Sequence, residues 1–288
     1  MTFTTRFAPS PTGPLHLGHA FSAMLAYDLA MAVDGVFLLR IEDIDQSRAR
    51  AEWEQQIYDD LHWLGLTWPE PVLRQSDNLA AYDAALDTLW ARGLLYRCDC
   101  NRRDIEAAAT APQEGAPLIG PDGLVYPGTC RRKHPRIGPR PRGAALRLDM
   151  SAALDTTHKD MTFRDNADQP RIRIVQPQTA ITHIGDVVLA RRDMGTSYHL
   201  SVVVDDAAQH ITDVVRGKDL SDATDIHVIL QHLLGLPTPI YHHHRLIRDD
   251  TGKRLAKRDD ARAISKYRGD GASPDDIRAM VGLPVKPA

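Results

Sequence analysis

The chain has 288 residues, 43% hydrophobic and 25% charged, with a formal net charge of −3. That balance fits a globular protein with a substantial core and excludes a low-complexity chain, while apolar runs as short as VFLL leave no segment able to span a bilayer. A near-neutral total says nothing about RNA, which is bound by local basic patches.

The opening string MTFTTRFAPSPTG has neither a basic n-region nor an apolar h-region, so a cytoplasmic protein without membrane association is expected. Arg6 to Ala8 reads as a short strand, and Pro9, Pro11, Gly13 and Pro14 then force a tight loop. Leu17, Phe21, Met24, Leu25, Leu29 and Ala32 recur at helical spacing, with Gly35 where a left-handed C-cap would end the helix. VFLLRI, residues 36–41, is short and apolar, as a buried parallel strand is. Trp53, Ile57, Leu61 and Leu64 predict a second helix before Gly65, and residues 80–90 a third, stopped by Gly93. From Cys98 to about Arg142 periodicity gives way to Pro, Gly and Arg, the texture of an irregular insertion that needs a local staple. Strand-like ALRLDM, MTFR, IRIVQ and DVVLAR follow, and α/β alternation returns with SYHLSVVVDDA and DIHVILQHLLG. The expected fold is therefore α/β with a parallel sheet. Residues 1–97 form the first half of a nucleotide-binding domain, 98–190 the insertion, 191–245 the second half, and 246–288 a basic loop with a short tail.

His16 and His19 stand at i and i+3 at the start of a helix, just beyond a Gly/Pro loop. A helix N-terminus offers unpaired N–H groups and a positive dipole end, so both imidazoles can meet one triphosphate, and Gly18 lets a nucleoside approach the backbone. Alone, such a pair is more often an ordinary polar helix face. Near the other end, GKRLAKR at 252–258 packs four cations into a glycine-led loop suited to the charge that develops on the α-phosphate and departing pyrophosphate. An isolated basic run is usually a solvated turn, so this one gains meaning from its partner upstream.

In that order, HLGH at 16–19 and RLAKR at 254–258 resemble the two signatures of class I aminoacyl-tRNA synthetases. The strings RFAPSPTGPLHLGHA, FLLRIEDID, SYHLSVVVDDA, ITDVVRGKDL and GKRLAKR resemble the glutamyl branch, over residues 6 to about 265. The resemblance implies a Rossmann-like class I catalytic domain interrupted by an α/β insertion. It implies ATP bound by Pro11, His16, Gly18, His19, Arg254, Leu255 and Lys257, with Mg²⁺ arriving on the nucleotide and with His16, His19 and Lys257 catalytic. Arg254 and Ala256 depart from the usual loop pattern, which leaves the main phosphate role to Lys257. L-glutamate is implied to lie against Arg6, Ala8, Ser10, Glu42, Tyr198 and Arg216. The chemistry agrees, since an arginine fork pairs with the side-chain carboxylate and Glu42, just after a strand, can take the ammonium. Asp43 and Asp45 can also be read as magnesium ligands, although Asp45 better fits a helix cap.

Cys98, Cys100 and Cys130 give no even disulfide framework and supply three soft ligands, one short of a closed zinc site. His134 is the fourth by ligand chemistry. The spacing of Tyr126 and Cys130, however, resembles a zinc pattern of a glutamyl-synthetase subgroup in which tyrosine is the fourth ligand. The resemblance implies one structural Zn²⁺ held by Cys98, Cys100, Tyr126 and Cys130, with His134 in reserve. Arg131, Arg132, Lys133, Arg136, Arg140 and Arg142 follow with no acidic residue until Asp149, either as an RNA-backbone contact or as a solvated loop.

A full glutamyl-tRNA synthetase continues with a helical block that contacts the tRNA stem and anticodon, whereas this chain ends soon after Arg258. That shortening, the RIEDID wording and the Cys/Tyr spacing resemble the subgroup that transfers glutamate to the queuosine base in the anticodon of tRNA(Asp). The resemblance implies a monomer that activates glutamate without tRNA and uses queuosine-containing tRNA(Asp) as acceptor. Charging of the 3′ end of tRNA(Glu), delivery of glutamate to a small molecule, and a non-catalytic RNA- or nucleotide-binding paralogue are the alternatives.

Overall fold

The computed structural model describes residues 2–109, 118–157, 160–167, 169–248 and 262–285. Strand β1 (Thr4–Phe7) runs parallel to β2 (Val36–Ile41), with Arg6 beside Leu38, and β2 pairs in turn with β3 (Leu73–Arg74). The first crossover is α1 (Leu17–Met31), which buries Met24 and the alanines Ala20, Ala23, Ala26 and Ala30; the small alanine side chains let it lie close to the sheet. Its end differs from the sequence expectation. Asp34 takes the left-handed conformation, at φ 50°, and Gly35 does not. Gly35 is needed for close approach instead, because a Cβ there would lie 2.5 Å from the Phe3 carbonyl oxygen. Helices α2 (Ala51–Trp63) and α3 (Leu79–Ala91) follow, and the left-handed glycines Gly65 and Gly93 lie just beyond them as their sequences predict.

The middle of the chain continues with β4 (Leu95–Cys98), α4 (Arg102–Ala109), a hairpin of β5 (Ile119–Gly120) and β6 (Gly123–Leu124), β7 (Ala145–Leu148) and α5 (Met150–Asp155). Then come β8 (Thr162–Asp165), β9 (Arg171–Ile174), the single turn α6 (Pro177–Thr179) and β10 (Val188–Ala190). Strands β10, β7 and β4 form an antiparallel sheet. The chain returns through α7 (Tyr198–Ala208), β11 (Asp213–Gly217), α8 (Thr224–Leu234) and β12 (Ile240–His244). Helices α9 (Ile264–Gly269) and α10 (Pro274–Val281) close it.

Strand β12 is parallel to β11 on one side and to β8 on the other, so β8 and β9 extend the sheet of the second half and do not stay with β4, β7 and β10. The β11–β12 pair abuts the first strand, where Thr212 N–H donates to the Thr4 carbonyl at 2.9 Å and Thr4 N–H to Thr212 Oγ1 at 2.8 Å. Strand β1 thus has β2 on one flank and β11 on the other. In an open α/β sheet that reversal opens a crevice beyond the carboxyl ends of the strands. Among the described residues no helix is long and apolar enough to cross a membrane.

Candidate active site

The crevice is a cavity of about 370 Å³ lined by Arg6, Ala8, His16, Gly18, His19, Glu42, Tyr198 and Arg216. These residues leave the carboxyl ends of β1, β2 and β11 and the first turns of α1 and α7, so the topology gathers positions more than 200 residues apart. Ser10 lines an adjacent cavity of about 290 Å³, whose wall is shared through Glu42 and Tyr198. Pro11 lines neither; it is buried, and its carbonyl accepts from Arg50 N–H at 3.0 Å. Arg254, Leu255 and Lys257 lie outside the described residues. The residues on either side of that segment do meet the cavity: Ile247 lines it, and Ala263 makes an isolated bridge with His16.

Beneath the cavity lies an ion network that the sequence does not announce. Asp206 accepts from Arg6 Nε at 2.9 Å and Arg6 Nη2 at 3.2 Å, and from Arg40 Nη1 at 2.7 Å. Arg40, fully buried, also donates to Glu42 at 3.3 Å. Such pairs persist in a low-dielectric interior only when every charge is met. Burial alone would raise the pKa of Asp206, but the two guanidiniums outweigh it and hold the carboxyl below its usual range. Glu42 goes the other way, because burial is the largest influence on it and pushes it up against Arg40 and Arg6. Burial would lower Arg40, yet Asp206, Glu42 and Asp205 together raise it. Asp205, on the other side of α7, accepts from Gln75, Asn78 and Tyr82 at 2.8–2.9 Å and ties α7 to the first half of the fold.

Arg216 is surrounded differently. It donates to Thr224 Oγ1 at 2.6 Å, His227 Nδ1 at 3.0 Å, the Leu220 carbonyl at 3.2 Å and His243 Nε2 at 3.3 Å, and it lies over the Tyr241 ring. Tyr198, beside it, has its phenol pushed up by burial.

At the mouth of the cavity, His16 is the N-cap of α1 and accepts the Gly18 N–H at Nδ1, 3.1 Å away, while His19 Nδ1 accepts the His16 N–H at 3.2 Å. The pair fills the two places of a capping box, and the rings lie 3.8 Å apart. With both Nδ1 atoms accepting, each neutral ring carries its proton on Nε2. A Cβ at Gly18 would press the His16 ring at 3.0 Å, so a larger residue here would push the imidazole from its capping position. Asp43 is drawn away from the cavity, accepting from Ser76 N–H at 2.8 Å and Ser76 Oγ at 2.6 Å. Asp45 accepts from Ser47 Oγ at 2.6 Å and Arg48 Nε at 2.5 Å, closing the turn before α2; the N-cap of that helix is Arg50.

A family model described as tRNA synthetases class I (E and Q), catalytic domain, matches residues 2–284. The chain belongs to the class I tRNA synthetases. A glutamyl-Q tRNA(Asp) synthetase of Rhodobacter capsulatus is 65% identical over 97% of this chain and 99% of its own length. One from Nocardia farcinica is 42% identical over 98% and 86% respectively. Among solved structures, a glutamate tRNA ligase of Elizabethkingia meningosepticum in complex with its amino acid superposes with a TM-score of 0.74 at 24% identity, a likeness of fold. The match covers 98% of this chain and 61% of that enzyme.

The synthetase carries a second cluster of ligand-type side chains. The sulfurs of Cys98, Cys100 and Cys130 lie within 4.8 Å of one another. The Tyr126 hydroxyl is 3.5 Å from Cys98 Sγ and 3.4 Å from Cys100 Sγ, and it accepts the Cys130 N–H at 2.9 Å. Burial pushes the Cys100 thiol up to about 11; at Cys130 burial is the largest single influence, but the hydrogen bonds from Tyr126, Cys100 and the backbone together outweigh it and bring the thiol down to about 7. Arg147 lies over the Tyr126 ring at 3.9 Å and donates to Cys98 Sγ at 3.4 Å. His134 is not in the cluster and pairs with Asp99 at 2.5 Å.

The basic segment of the synthetase is largely neutralised by its own fold. Arg131 meets Asp186 at 2.8 Å, Lys133 meets Asp99 at 3.2 Å, Arg136 meets Asp149 at 2.7 Å, and Arg140 and Arg142 both meet Asp83 and Asp87. Of the six cations only Arg132 enters no ion pair among the described residues, so the segment is a staple holding the insertion to α3 and α5.

Proposed function

We propose that this synthetase activates L-glutamate with ATP as glutamyl-adenylate, without tRNA, and transfers the glutamate to the queuosine base in the anticodon of tRNA(Asp). The observation that carries the first step is one cavity shared by two buried arginines, a glutamate and the N-terminus of a helix capped by two histidines. An amino acid with an extra carboxylate and a triphosphate are the complementary ligands of such a cavity. Arg6 and Arg216 meet the side-chain carboxylate, Glu42 the ammonium, and Ala8, Ser10 and Tyr198 shape the remainder. His16 and His19 donate from Nε2 to the phosphates, Gly18 and Pro11 form the nucleotide loop, and Arg254, Leu255 and Lys257 are assigned to ATP by the resemblance of their loop, with the main phosphate role at Lys257. Mg²⁺ travels with ATP, held by phosphate oxygens.

The glutamate α-carboxylate attacks the α-phosphorus in line; the new P–O bond forms as the bond to pyrophosphate breaks, and the leaving charge is met by fixed donors. A queuosine hydroxyl then attacks the activated carbonyl, AMP departs, and an ester results. The groups assigned to glutamate are oriented by the protein's own side chains, Arg6 by Asp206 and Glu42 by Arg40. The acceptor is supported by the two relatives from Rhodobacter and Nocardia, both glutamyl-Q tRNA(Asp) synthetases, of whose lengths the match covers 99% and 86%. Three thiols and a phenol within contact distance fit a tetrahedral Zn²⁺, held by Cys98, Cys100, Tyr126 and Cys130 in a structural role. We further assign the protein to the cytoplasm, as a monomer.

ATP–pyrophosphate exchange tests the activation step. Exchange that depends on glutamate and proceeds with no RNA present is expected. Exchange absent with glutamate overturns the reading, and exchange that strictly needs added tRNA overturns its tRNA-independent part.

A further inference from the structure

Two guanidiniums face the cavity, and they are held by opposite means. Arg6 is met by the carboxylate of Asp206, so its charge is compensated within the protein. Arg216 is buried, yet no carboxylate among the described residues forms an ion pair with it; its partners are two imidazole nitrogens, a hydroxyl and a carbonyl. A buried cation supported only by neutral acceptors is a receptor for an incoming anion.

The imidazoles achieve this through fixed tautomers. A guanidinium only donates, so His227 Nδ1 accepts and its proton is on Nε2. That Nε2 lies 3.1 Å from His199 Nδ1, and His199 Nε2 lies 3.3 Å from Asp122, a carboxylate in the β5–β6 turn. The second arm repeats the logic: Arg216 Nε donates to His243 Nε2, and His243 Nδ1–H donates to Asp165 at 2.9 Å. Each chain starts on the cation, ends on a carboxylate and has one proton for every link. The carboxylates orient the rings without cancelling the charge of Arg216. Burial keeps both His227 and His243 below the usual histidine range, in keeping with neutral rings.

We propose that His227 and His243 are positioning residues for glutamate, keeping Arg216 aligned and electrostatically available to the substrate carboxylate, with His199, Asp122 and Asp165 fixing their tautomers. This rests on the glutamate-activating reading above. It is tested by glutamate-dependent exchange with four variants. His227→Leu and His243→Leu remove the acceptor. His227→Asn and His243→Gln place an amide oxygen where Nδ1 or Nε2 faced Arg216.

The leucine variants raise KM for glutamate about tenfold or more, as loss of a hydrogen bond to a charged group does, while KM for ATP stays unchanged. The amide variants stay within about threefold of wild type, which a purely structural role for the rings would not produce. Amide variants as impaired as the leucine ones, or a matching rise in KM for ATP, overturn the inference. If circular dichroism shows the leucine proteins unfolded, the amide variants decide alone: retention of KM for glutamate supports the inference, and a tenfold rise overturns it. Wild-type protein that shows no glutamate-dependent exchange instead removes the underlying functional reading, so the two failures are distinguishable.

Discussion

Replacing Asp206 with asparagine separates the charge of the buried network from its shape. Oδ1 accepts from Arg6 Nε and Arg40 Nη1, and Oδ2 from Arg6 Nη2. Asparagine can keep the two bonds to Oδ1, but its NH₂ then faces Arg6 Nη2, donor against donor. One charge-assisted bond is lost, worth about 1.5–3 kcal/mol. The lost compensation of two buried cations brings the total toward the roughly 3–5 kcal/mol typical of breaking a buried pair from one side. About 3 kcal/mol corresponds to a fall of roughly 0.5–1 M in the urea midpoint of a domain this size, where m is at or above the upper end for small proteins. Because Asp206 orients Arg6 directly and Glu42 through Arg40, KM for glutamate should rise at least about tenfold while KM for ATP is unmoved. The pH dependence has a definite sign. The folded pKa of Asp206 is depressed, so its contribution is complete above the unfolded value of about 3.9 and lost only as pH falls through the lower folded value. The stability gap between wild type and Asp206→Asn should stay flat from about pH 8 to pH 5 and close only below about pH 4. A midpoint shift under about 0.2 M with an unchanged KM for glutamate would refute the reasoning.

Further outcomes follow from individual residues. His16→Ala should lower the rate of exchange about a hundredfold through loss of a phosphate donor, with only about 1 kcal/mol of lost capping; near-normal exchange would contradict its assignment. Metal analysis of wild type should find about one zinc per chain, and Cys130→Ser should lose it together with thermal stability; equal zinc in both would remove the cluster as a metal site. Asp60 is buried beside Arg268, neither of its oxygens accepts a hydrogen bond among the described residues, and burial pushes it up to about 6. Its folded pKa lies above the unfolded one, so the ionised carboxylate costs stability above about pH 6. Asp60→Asn should therefore be more stable than wild type by about 1–2 kcal/mol at pH 8, with the difference vanishing below about pH 4; a variant less stable at pH 8 would show that the Arg268 contact outweighs burial.

The parts legible in the sequence are those with local causes. Arg6 and Arg216 stand near the carboxyl ends of β1 and β11 and Glu42 just past β2, and a polar residue at the carboxyl end of a parallel strand is carried to the crevice by topology. His16 and His19 are marked by the Gly/Pro loop before them, although their reciprocal capping was not foreseen. The supporting network was hidden because its links span 166 residues between Arg40 and Asp206 and 27 between Arg216 and His243. One signal was present: an arginine inside the apolar run VFLLRI has to find a buried carboxylate, and the Asp205–Asp206 pair on α7 supplies two. The basic run at 131–142 left two readings open for the converse reason, since its partners Asp83, Asp87, Asp99, Asp149 and Asp186 come from elsewhere in the chain. Strands β8 and β9 read as part of the insertion because hydrogen bonding to β12 leaves no trace in local periodicity.

The identity of the acceptor is tested most directly by following labelled glutamate. Wild-type protein, ATP and glutamate are supplied with queuosine-containing tRNA(Asp), queuosine-free tRNA(Asp) or tRNA(Glu), and the label is mapped by nuclease digestion. Label confined to the anticodon base of queuosine-containing tRNA(Asp) is the predicted result. Label at the 3′ end of any of the three would contradict it.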